Sequence, residues 1–78
     1  MVNNKLMELF HDYHDIELKY EGNIIHIGCY QKSKYYFKIQ GEDSPEIICS
    51  DLTELSNIKV GDKKLIQILD DAQITDVY

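Results

Sequence analysis

The chain contains no arginine, and all eight of its basic residues are lysines. The planar guanidinium fork that grips phosphate through two oxygens at once is therefore missing. Glycine is scarce, occurring singly at positions 22, 28, 41 and 61, so no glycine-rich loop is available to cradle a phosphate. Cysteine is limited to Cys29 and Cys49, which lack CxxC spacing and are too few for a disulfide framework. Reduced thiols and a cytoplasmic location are the expectation. No apolar run approaches the roughly 20 residues of a membrane-spanning helix, and MVNNKLMELF has no apolar stretch of signal-peptide length. No membrane partner is expected. Repeats, low-complexity tracts and catalytic or cofactor motifs are also absent, so the sequence identifies a kind of object rather than an activity.

What remains is a chain of 78 residues with 44% apolar content, read as one domain over residues 1–78. At this size only about 60% of the unfolded surface can be buried, enough for one modest core. Charge is distributed unevenly. Residues 1–40 balance five acids with five lysines, whereas residues 41–78 set nine acids against Lys59, Lys63 and Lys64 and so hold the entire net charge of −6. Such asymmetry bears on partners and solubility, not on fold.

Periodicity divides the chain into elements. Leu6, Leu9, Phe10 and Tyr13 recur at helical spacing, predicting an amphipathic helix over residues 4–13, with Asn3 as N-cap and Val2 with Met7 as a hydrophobic staple. Three alternating stretches follow, Ile16–Tyr20, Asn23–Tyr30 and Lys34–Gln40, joined by links of hairpin length. One face of this meander carries Ile16, Leu18, Tyr20, Ile25, Ile27, Cys29, Tyr35, Phe37 and Ile39 and invites the helix to cover it. The stretch Gly41 to Pro45 ends the third strand. A short strand Ile47–Cys49, a helical turn from Leu52 capped by Asp51 with Glu54, and a last edge strand over Ile74–Tyr78 complete the outline.

Residues 62–72 read two ways. Leu65, Ile68, Leu69 and Ala72 form a helical stripe with Asp62 as N-cap, while a strand over Lys64–Leu69 could pair with Ile58–Val60 across Gly61-Asp62. The helix is favoured by length. Its charges nonetheless oppose the dipole, with Lys63 and Lys64 at the start and Asp70 and Asp71 at the end. The expected fold is α+β: an N-terminal helix packed on a three- or four-stranded antiparallel meander, with a second helix near the C-terminus. The expected core is Leu6, Leu9, Phe10, Ile16, Leu18, Ile25, Ile27, Phe37, Ile39, Leu65 and Leu69.

Three constellations could carry chemistry. His11 and His14 are neighbours on a helix, but zinc needs three or four convergent ligands, and His26, Cys29 and Cys49 fall on or near the sheet. No metal site, catalytic residue or cofactor is expected, and the protein reads as non-enzymatic. Tyr30, Lys32, Lys34, Tyr36 and Lys38 lie within nine residues, the mixture of aromatics and cations that a single-stranded nucleic-acid platform uses. The acidic balance and missing arginine weigh against nucleic acid. Finally, Glu42, Asp43 and Glu46 crowd one loop, and Asp70, Asp71 and Asp76 another. These six acids are the candidate partner-binding residues.

The reading that follows is a small acidic protein-binding module whose partner is a larger protein with a basic, nucleic-acid-binding surface. In size, acidity and helix-then-meander order the chain resembles small phage-encoded inhibitors, anti-CRISPR proteins among them. That resemblance of class implies an inhibitor and assigns no residue a role. The alternatives are a single-stranded nucleic-acid-binding module using the tyrosine and lysine hairpin, and a homodimeric structural subunit.

Overall fold

The structure, a computed structural model, describes residues 4–41 and 45–78. Ten elements follow one another: α1 (Asn4–Asp12), β1 (Asp15–Tyr20), β2 (Asn23–Gln31), β3 (Lys34–Ile39), β4 (Ile47–Cys49), α2 (Leu52–Ser56), β5 (Lys59–Val60), β6 (Lys63–Lys64), α3 (Leu65–Ile68) and β7 (Gln73–Val77). The main sheet is antiparallel with strand order β4-β3-β2-β1-β7. The expected α+β architecture is present, and the meander gains β4 at one edge and β7 at the other.

The β1–β2 and β2–β3 turns are two residues long. Glu21 and Gly22 have φ of 48° and 81°, the doubly positive conformation that matches the twist of a hairpin. In the second turn Ser33 takes the positive φ, at 65°. Strand alternation then sends Ile16, Leu18, Ile25, Ile27 and Phe37 to one face, where they are buried. Leu6 of α1, Leu55 of α2, Val60 of β5 and Leu65, Ile68 and Leu69 at α3 cover them, so every helix lies on the same side of the sheet. Leu9, Phe10 and Ile39, expected in the core, are only partly buried against it. Cys49, Leu55, Val60 and Ile68 join the core beyond the expected set.

Two details differ from the sequence expectation. Cys29 is half-buried rather than core, and just beyond it Tyr30 is an extra residue between the Cys29↔Tyr35 and Gln31↔Lys34 pairs that disturbs the ladder. The ambiguous segment uses both of its options. Lys59–Val60 and Lys63–Lys64 form a small hairpin across Gly61-Asp62, and Leu65–Ile68 is a single helical turn capped from Lys64, whose N–H donates to Gln67 Oε1 at 2.8 Å. Asp62 sits in the turn and is not the N-cap. Lys63 is extended, Lys64 caps from outside the turn, and Asp70 and Asp71 follow it, so the opposed charges stay out of the helix interior. The expected Asn3 cap and Val2 lie outside the described residues.

Candidate functional site

Helices cover one face of the sheet, and among the described residues no element covers the other. Alternation and register place its residues in rows. One row runs Ile48, Tyr36, Gly28, Asp15 across β4, β3, β2 and β1, and the next runs Lys38, His26, Glu17, Asp76 across β3, β2, β1 and β7. Gly28 has a specific steric reason. A Cβ there would lie 2.6 Å from both Tyr36 Cζ and Asp15 Oδ1, so only glycine lets the Tyr36 ring lie across β2. From that position the Tyr36 hydroxyl donates to Asp15 Oδ1 at 2.7 Å.

The bulge residue Tyr30 joins the same face. Its ring centroid is 4.9 Å from that of Tyr36 at an interplanar angle of 57°, the tilted arrangement that aromatic quadrupoles favour. Its hydroxyl donates to Glu46 Oε1 at 2.5 Å, and Lys34 Nζ sits 5.6 Å from its ring centre. His26, Tyr30, Tyr36, Lys38, Gln40, Gly41 and Glu46 enclose an open concavity of about 380 Å³. Within it, His26 Nε2 and Gln40 Oε1 are 2.8 Å apart and share a hydrogen bond. Glu17 Oε1 lies 3.9 Å from the same nitrogen.

Both phenols ionise above the usual tyrosine range. For Tyr30 the main cause is the hydrogen bond to Glu46, which would become a repulsion between anions. For Tyr36 the main cause is burial, followed by the bond to Asp15. Neither phenol is an anion near neutral pH, so both act here as donors and as ring surfaces. The arrangement is equipped to hold a partner.

The six candidate acids are not gathered together. Glu42 and Asp43 lie outside the described residues. Glu46 stands at the concavity beside β4, whereas Asp76 is on β7 at the opposite edge, four strand spacings or roughly 19 Å away. Asp76 accepts from Tyr78 Oη at 2.6 Å. Asp70 and Asp71 are exposed on the helical layer, with Asp70 Oδ1 4.0 Å from Lys5 Nζ. Of the alternative nucleic-acid set, Tyr30, Lys34, Tyr36 and Lys38 do converge on the open face, and Lys32 lies in the β2–β3 turn. Sequence reasoning did not attach Asp15, Glu17, Gln40 or Ile48 to this face. The available signal was Gly28, a lone glycine inside a strand pattern, which marks a close approach.

The remaining constellations stay apart. Cys29 and Cys49 occupy β2 and β4 with Tyr35 of β3 between them in register. His11 is exposed and bonded to Asp12 at 3.1 Å. Among the described residues no group of three His, Cys, Asp or Glu side chains could hold a metal ion, and no helix is long and apolar enough to cross a membrane. Comparison with known proteins adds no identity, since no family model, curated protein or solved structure matches the chain.

Proposed function

We propose that this protein is a non-enzymatic protein-binding module that lays the open face of its sheet on a basic, nucleic-acid-binding surface of a larger protein and so inhibits it. The observation that carries the reading is the pairing of Tyr30, Tyr36 and Ile48 on a sheet face with Asp15, Glu17 and Glu46 around them. Tyr30 is 54% and Ile48 48% exposed, although an isolated domain would gain by covering them. Tyrosine with aliphatic neighbours is the usual composition of an interface anchor, and the surrounding acids supply complementarity to a basic partner. Asp70 and Asp71, on the other layer, contribute the long-range field that speeds encounter.

The test is capture on immobilised protein with elution in steps of salt, followed by association kinetics with the purified partner. Tyr30→Ala and Ile48→Lys should abolish capture. Asp70→Lys with Asp71→Lys should slow association and leave dissociation nearly unchanged. Capture that survives both face variants, or that ignores salt, overturns the reading. A nucleic-acid reading draws on the convergence of Tyr30, Lys34, Tyr36 and Lys38, but carboxylates hold both phenol oxygens at that place. A fluorescent single-stranded oligonucleotide should show no anisotropy change at 0.1 M salt, and saturable binding would replace the protein partner with nucleic acid.

A further inference from the structure

We infer that the concavity beside Glu46 is a seat for one arginine side chain of the partner; this rests on the protein-binding reading above. Tyr30 and Tyr36, with ring centroids 4.9 Å apart, form two walls set at 57°. Their hydroxyls are turned into Glu46 and Asp15, which leaves ring surface rather than phenol oxygen to meet an occupant. A ring face attracts a cation, and the Tyr30 ring already draws Lys34 Nζ to 5.6 Å. The acceptors stand on the same rim. Glu46 gives one oxygen to Tyr30 and Gln40 Oε1 meets His26, yet a carboxylate has about four acceptor sites and an amide oxygen two.

A guanidinium suits this mixture better than an ammonium, because it stacks flat on an aromatic face while its edge donates to a carboxylate. The volume of about 380 Å³ lies in the range of side-chain and small-ligand seats. The chain has no arginine of its own to fill it, and its net charge of −6 favours a cationic visitor. Among the described residues two cations oppose another one, Lys34 over the Tyr30 ring and Lys38 on the wall itself, and Lys38 provides the sharper test.

The probe is N-acetyl-arginine-methylamide, titrated into the whole protein with backbone amide shifts as the readout and the citrulline analogue as the neutral isostere. Saturable shifts should concentrate at Tyr30, Tyr36, Gln40 and Gly41, with citrulline about fivefold weaker or worse. Glu46→Gln should weaken the arginine probe and Lys38→Gln should tighten it. Both substitutions are at exposed positions, so an unchanged spectrum elsewhere confirms that the variants fold. Equal binding of citrulline, shifts confined to the region of Asp70 and Asp71, or no saturable shift at all would overturn the seat. The opposite response of the two variants, with inorganic phosphate shifting the same amides, would make it an anion site and equally overturn it. A captured partner that depends on Ile48 but is indifferent to Glu46→Gln would remove the arginine seat and leave the binding face standing. Arginine binding without any face-dependent partner would do the reverse.

Discussion

At the scale of single residues, the open face depends on a glycine and the ring that crosses it. Gly28→Ala must push the Tyr36 ring or the Asp15 carboxylate aside, because the new Cβ would meet both at 2.6 Å. Overpacking of this kind costs about 1–3 kcal/mol, measurable as a lowered urea midpoint. The displaced ring should also lose its bond to Asp15 and titrate earlier than in the parent protein. In that parent, Tyr36 should be the last tyrosine to ionise in an ultraviolet titration, since burial and Asp15 both raise it strongly. The sign of the linked stability follows. A phenol raised above its unfolded value of about 10 keeps its full contribution below that pH. As pH climbs further, the unfolded chain sheds its proton first and stability falls. Tyr36→Phe should flatten that alkaline decline. The lone glycine among alternating apolar residues was visible in the sequence, but its partner was not. Knowing that Tyr36 crosses Gly28 requires the β2–β3 register, and the Tyr30 bulge near the turn means that counting back from the hairpin would misplace it by one.

At the scale of elements, legibility followed the length of the periodic signal. The three long strands and α1 each repeat their pattern several times and were readable almost to their ends. The segment after Gly61 is built from pieces of two to four residues, too short for either period to declare itself. Local chemistry served better than periodicity at α2. Asp51 accepts from Glu54 N–H at 2.8 Å, as the spacing suggested, while the Glu54 carboxylate reaches back to Ser50 N–H at 3.0 Å rather than to Asp51. Asp51→Ala should therefore cost about 1 kcal/mol. Leu55→Ala, at a fully buried position, should cost about 2–5 kcal/mol. Phe37→Ala, at 3% exposure under the helices, should cost about 3–5 kcal/mol and unfold much of the population of so small a domain. Chemical denaturation of the three variants checks the ranking, and a well-folded Phe37→Ala protein would mean that β3 had been assigned to the wrong face.

At the scale of the whole molecule, the helices occupy one side of the sheet, and an exposed aromatic and aliphatic surface is left on the other. Such a face raises the question of self-association, since a second copy could in principle cover it. A standard interface buries about 800 Å² on each partner, a substantial part of the 5142 Å² surface of this small protein. Charge is expected to oppose pairing. Each copy carries −6, and an isologous contact around Tyr36 would bring Asp15, Glu17 and Glu46 of one copy towards the same acids of the other. Opposite sheet edges do not offer an easier route, because β7 is interrupted by the Thr75 bulge and β4 is only three residues long. Sedimentation equilibrium should accordingly find a monomer at low and at moderate salt. Raising the ionic strength to 1 M, where the Debye length shrinks to about 3 Å, removes most of the repulsion and is the condition under which any residual tendency of the face to pair would show itself. A stable dimer at low salt that Ile48→Lys returns to monomer would mean that the open face is made for a second copy of this chain and not for a basic partner.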